Sequence, residues 1–85
     1  MPMLELIAAP AACVPYAQAQ QELTDKFGEA PFGAGVTPDG RLVLGTLNAE
    51  TGTWTLLVID PSGQACAIVS GSHWEMRATQ PGKPT

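Results

Sequence analysis

Three glycine-closed turns at nearly even spacing constrain this chain more than anything else in it: Pro38-Asp39-Gly40, Glu50-Thr51-Gly52 and Asp60-Pro61-Ser62-Gly63. A glycine ends each turn because the left-handed backbone needed there is cheap for glycine alone. In the first and third, proline, aspartate or serine fills the preceding positions, where a fixed φ or a side-chain-to-backbone hydrogen bond starts the reversal. Between the turns lie PFGAGVT, RLVLGTLN, TWTLLVI and QACAIVS. The last three are rich in Val, Ile, Leu, Thr and Trp at strand length. Connections this short join antiparallel neighbours only, so the segments are expected to form a meander in the order 1-2-3-4.

Ahead of the turns the period is different. Tyr16, Ala19, Leu23 and Phe27 recur at steps of three and four, an apolar stripe on a helix otherwise rich in Gln and charge. Pro15 suits a helix start and Gly28 a helix stop, which places the helix at residues 15–28. The expected fold class is therefore α+β, one N-terminal helix packed on a four-stranded antiparallel β-meander. Residues 1–12 are expected to form an N-terminal arm, 13–74 a single α+β domain and 75–85 a flexible C-terminal tail.

At 85 residues the chain is long enough for one domain. A domain of this size buries only about 60–65% of its unfolded surface and is often stapled. The only two cysteines, Cys13 and Cys66, could supply the staple, fixing the helix to the last strand. A disulfide closing about 50 residues is worth roughly 4 kcal/mol in the chain-entropy model. Free thiols are the alternative, and the choice depends on an oxidising compartment. A Cys66–His73 catalytic pair would need a histidine lying beyond the strand's end. A metal site would need more ligands than two Cys and one His offer.

Four Lys and Arg stand against eight Asp and Glu, for a net charge of −4. The cations Lys26, Arg41, Arg77 and Lys83 are scattered, so direct nucleic-acid binding is not expected. No apolar run reaches the ~20 residues that span a bilayer. The first segment, MPMLELIAAPAAC, is a poor signal peptide: no Lys or Arg occurs before Lys26, and Glu5 interrupts the apolar run. Either this start lies inside a longer exported precursor or the protein takes another route.

Catalytic machinery is not visible. No G-x-S-x-G elbow activates a serine, no P-loop occurs, and no carboxylates pair in a pattern that would split their pKa values. Asp39 and Asp60 take turn positions, while Glu22 and Asp25 lie on the helix surface. No cofactor is expected. His73, beside Glu75, reads as an exposed loop histidine. The strands are more informative. Trp54, Leu56 and Val58 face one way, Leu57 and Ile59 the other; Leu42 and Leu44 oppose Val43 and Leu47. One helix covers one face, and a half-solvated sheet shows a cleaner alternation than this. The second face is thus expected to be covered by the N-terminal arm, the tail, a second copy or a partner. Leu42, Leu44, Leu57, Ile59 and Trp74 are the candidate contact residues. Trp54 is expected in the core, and Trp74 is expected to cap the sheet end.

Cys13, Phe27-Gly28-Glu29, Thr53-Trp54-Thr55, Ala65-Cys66, Gly71 and Trp74 fit a pattern C…YGE…TWT…G-x-x-C…G-x-x-W across residues 13–75. In this the chain resembles a family of small exported alphaproteobacterial proteins that has relatives encoded by phages. It departs from the pattern with Phe27 in place of Tyr and with its weak signal segment. The resemblance implies a Cys13–Cys66 disulfide and an architecture, but no activity. The expectation is a non-enzymatic structural or protein-interaction module, exported to the periplasm or carried on a virus particle as a capsid or tail accessory. Its protein partner or second copy would use the second sheet face or an edge strand. A small acidic inhibitor of a nucleic-acid-handling enzyme is the alternative, and it requires clustered carboxylates.

Overall fold

The computed structural model describes residues 13–77. The elements run β1 (Cys13–Pro15), α1 (Tyr16–Phe27), β2 (Ala30–Val36), β3 (Leu42–Leu47), β4 (Trp54–Ile59) and β5 (Gln64–Gly71). They build one five-stranded antiparallel sheet in the order β1-β5-β4-β3-β2. The expected four-stranded sheet is therefore corrected to five strands, and the described residues are mostly β with one short helix. The added strand is β1, which pairs with the outer edge of β5: Cys13 opposes Cys66, Val14 opposes Ala65, and Pro15 opposes Gln64. Three residues ending in proline carry no readable alternation. Proline is tolerated there because an edge strand can spare the N–H.

Pro15 ends β1 and serves as the residue before the helix, with φ −53° and ψ 141°, rather than as its first turn. The chain then crosses one face of the sheet as α1 and re-enters at the opposite edge as β2. Gly28 stops the helix at φ 64°, its N–H capping the carbonyl of Thr24. The expected arm at 1–12 and most of the expected tail, 78–85, lie outside the described residues.

The meander turns where its glycines stand. Two of the hairpins, at 37–41 and 60–64, are built alike. Thr37 N–H donates to the Arg41 carbonyl at 2.8 Å, and Asp60 N–H donates to the Gln64 carbonyl at 3.0 Å. In the second hairpin Gly63 sits at φ 92°, a geometry that closes a three-residue loop and is costly for a side chain.

The core lies between α1 and the sheet. Ala19 and Leu23 of the helix meet Leu44, Leu57, Ile59 and Ala65, with Tyr16, Phe27, Leu42 and Ala67 packed around them. Leu23 and Leu57 are each only 2% exposed. The small residues of β5, Ala65 and Ala67, let the helix approach the sheet closely. Two bulges interrupt the ladders. One inserts Phe32 between Pro31 and Gly33 of β2; the other inserts Ile68 into β5 opposite Leu56 and Leu57. A bulge adds one unpaired residue and re-aims a side chain.

Candidate interaction surface

The face away from the helix is set by register. Val43 opposes Val58, Gly45 opposes Leu56, and Leu47 opposes Trp54. Among the described residues this apolar face is covered only in part, by the segment that follows β5. After β5 the backbone doubles back at His73, which adopts φ 61°. Trp74 N–H then donates to the Gly52 carbonyl at 3.0 Å, anchoring the segment to the β3–β4 turn. The Trp74 ring lands between two others, 4.9 Å from Phe32 and 5.5 Å from Trp54, tilted by 55° and 59°. Tilted aromatic pairs at this spacing are favourable beyond the area they bury. The indole N–H groups are used locally, Trp54 donating to the Ser72 carbonyl and Trp74 to the Met76 sulfur.

Two glycines make the shelf on which the rings lie. A Cβ on Gly45 would stand 2.7 Å from Phe32 Cε2, and one on Gly71 would stand 2.9 Å from Trp54 Cζ2. Phe32 reaches this face because the bulge in β2 turns it there. Between Phe32, Trp74, Leu56 and Val43 runs a shallow open groove of about 290 Å³, floored by Gly45 and bordered by Gly33 and Gly35.

The groove opens along β2, the outermost strand. All seven residues of β2 are exposed, none is charged, and Val36 is 75% exposed. The opposite edge, β1, is only three residues long. Natural edge strands are usually protected by charge, brevity or cover. β2 carries one proline and one bulge but no charge.

The sequence-derived candidates divide sharply. Leu42, Leu44, Leu57 and Ile59 were expected on the partly uncovered face, but they lie under the helix, with Leu44, Leu57 and Ile59 buried. The correction has a simple cause. Both faces alternate with similar apolar content, so periodicity shows that two faces exist but not which one the helix takes. The helix takes the face that also bears Ala65, Ala67, Thr46 and Thr55. Trp74 does lie on the other face, folded across it rather than capping the sheet's end. Trp54, expected in the core, is half-buried on that same face. Sequence reasoning missed Phe32 and Gly45; the available signal was an aromatic among glycines in the weakest strand.

Cys13 and Cys66 are bonded, with Cα atoms 4.2 Å apart. They face each other directly across β1 and β5, and Cys66 also opposes Val58, so the bridge sits on the face away from the helix. It fixes the strand leading into α1 rather than α1 itself. With its sulfur in this bond, Cys66 offers no nucleophile. Ser72 and the His73 ring nitrogen Nδ1 are hydrogen-bonded to each other at 2.9 Å on the exposed surface. Among the described residues no cluster of His, Cys, Asp and Glu could hold a metal, and no helix is long and apolar enough to cross a membrane.

The described carboxylates are dispersed. Asp39 and Asp60 stand in the β2–β3 and β4–β5 turns at one end of the sheet, Glu50 in the β3–β4 turn at the other, Glu22 and Asp25 on α1 and Glu75 after β5, while Glu29 is buried. Asp39 pairs with Arg41 at 3.1 Å, both side chains exposed. Hydrogen bonds from the Thr37 hydroxyl and Arg41 hold the Asp39 carboxyl below its ordinary range. The Ser62 hydroxyl and the Gln64 N–H do the same for Asp60.

Comparison of the chain with protein-family models, with curated proteins and with solved structures finds no match.

Proposed function

We propose that this chain is a non-enzymatic structural or protein-interaction module, exported or carried on a virus particle, that receives an extended segment of a partner protein along β2 and the adjoining aromatic groove. The observation carrying this reading is β2 itself: a seven-residue, fully exposed, uncharged edge strand beside an apolar groove. Strand addition joins backbone hydrogen bonds, which give affinity, to side-chain pockets, which give specificity. The edge supplies the first, and the groove between Phe32 and Trp74 supplies the second. The Cys13–Cys66 bond suits an oxidising setting such as the periplasm, the extracellular medium or a particle.

Site-specific photo-crosslinking tests the reading in the protein's own host or particle. A photoreactive residue at position 34, in β2, is expected to capture a discrete protein adduct. The same group at position 22, on the helix, is expected to capture none. Equal labelling from both positions, or none from either, would count against β2 as the docking edge. Charge mimicry of nucleic acid gains nothing from the described carboxylates, which occupy both ends of the sheet and the helix rather than one surface.

A further inference from the structure

Beneath the end of α1, on the helix side of the sheet, lies a polar row in an otherwise apolar layer. Thr46 opposes Thr55, and Thr55 opposes Ser70, so three hydroxyl-bearing residues stand side by side on β3, β4 and β5. Glu29, the residue between the Gly28 helix stop and β2, turns into this row and is 0% exposed, as are Thr46 and Thr55. Its backbone is held on both sides: the carbonyl accepts from Gln20 and Thr24 at 3.1 and 3.0 Å, and the N–H donates to Leu23 at 3.2 Å. The Thr46 hydroxyl donates to Glu29 Oε1 at 2.8 Å. Three neighbouring buried atoms, Glu29 Oε2, Thr55 Oγ1 and Ser70 Oγ, have no hydrogen-bond partner among the described residues.

A buried polar atom left unpaired forfeits its hydration with nothing in return, and the cost is greater when it is charged. Three in one row would be a heavy burden for a small domain. We infer that this row is a binding site for one ordered water molecule, which donates to Glu29 Oε2 and accepts from the Thr55 and Ser70 hydroxyls. Globular proteins hold on the order of one such water per 27 residues, typically with about three polar partners. One water satisfies all three atoms, which no direct contact in the row does. The site sits immediately before β2, so the water fixes the root of the exposed edge strand. The inference does not depend on what that edge binds.

The test rests on an opposition of sign, using the full oxidised chain. Thr55→Val keeps the shape of the side chain and deletes the hydroxyl. If the hydroxyl is simply unpaired, the change leaves Tm the same or raises it. If it holds a water beside a carboxyl group, Tm falls by about 5 °C. Ser70→Ala, at a half-buried strand end, repeats the test should Thr55→Val fail to fold. The double variant is expected to lose less than the sum of the two, because both hydroxyls serve one water. Electron density, or magnetisation transfer from water, within hydrogen-bond distance of Glu29 Oε2 would show the molecule directly. An unchanged or raised Tm in either single variant, additive losses, or a direct Glu29–Thr55 hydrogen bond overturns the inference. So does a Tm that depends on sodium against choline at equal ionic strength, which would assign the row to a cation.

Discussion

Gly45 has no side chain because Phe32 occupies the space one would take. The ring's Cε2 and Cζ would lie 2.7 and 2.8 Å from an added Cβ, closer than any real contact. Gly45→Ala should therefore lift Phe32 away from Trp74, shift the tryptophan emission to the red, and cost about 1–2 kcal/mol in a denaturant titration. Unchanged emission would mean that Phe32 does not rest on the sheet. Such a packing requirement is invisible in sequence, since a glycine between Leu44 and Thr46 of a strand announces nothing about the ring above it. The turn residues are different, because their work is local. Asp60 accepts hydrogen bonds from the Ser62 hydroxyl, the Ser62 N–H and the Gln64 N–H at 2.6, 3.0 and 3.1 Å. The pattern Asp-Pro-Ser-Gly shows that function directly. Its carboxyl is held below the ordinary value of 3.8, so the stability it contributes is present above that pH and lost as pH falls through the lowered value. In Ser62→Ala the Asp60 carboxyl resonance should titrate closer to 3.8, and the acid limb of the stability profile should shrink, because the unfolded-state value that sets its onset is unchanged. A titration identical to that of the parent would remove Ser62 as the chief cause.

At the scale of elements, how much the sequence reveals depends on how much of an element's geometry is local. The helix is readable from its stripe and its glycine stop, and the three hairpins from their turn chemistry. Tertiary pairing alone makes β1 a strand. It has three residues, one of them proline, and its ladder partner lies 53 positions away at Cys66. The second face was legible as a surplus of apolar residues, but its identity was not, because Leu42-Val43-Leu44 and Leu56-Leu57-Val58 offer an apolar residue to either side. The disulfide was legible as a pair, though its place opposite the helix required the register. Because β1 is so short, the bridge is expected to carry most of its stability. Closing 53 residues corresponds to about 4 kcal/mol in the chain-entropy model. Replacing both cysteines by alanine should cost about that much in global stability. In native-state hydrogen exchange the Tyr16 N–H, which donates to the Gly63 carbonyl at 2.9 Å, should lose protection before the β3–β4 ladder does. Retained protection at Tyr16 would show that edge pairing alone holds β1.

For the molecule as a whole, the two sheet edges are treated unequally, and that asymmetry decides how it meets other chains. The β1 edge is short, bonded and followed at once by the helix. The β2 edge is long and uncharged, with Val36 and Ala34 in solvent on the helix side and Phe32 at the groove on the other. A long, uncharged edge of this kind can also pair with a second copy of itself at high concentration. Opposing this is the net charge of −4, a long-range repulsion that salt screens. The Debye length falls from about 30 Å at 0.01 M to about 8 Å at 0.15 M ionic strength, so weak self-pairing should strengthen as salt is added. Association through ion pairs would weaken instead, which makes the sign of the salt effect diagnostic. Ala34→Lys with Val36→Lys places like charges along the edge at exposed positions, where the fold should tolerate them within about 0.5 kcal/mol. Sedimentation velocity across a concentration series should show the parent's weak association abolished in this variant at both salt levels. With the photoreactive residue kept at position 34 and Val36→Lys alone beside it, the adduct with a partner should weaken as well. Association that survives the two lysines would move the contact away from β2 to the aromatic groove, where Trp74→Ala would then be the variant to weaken it.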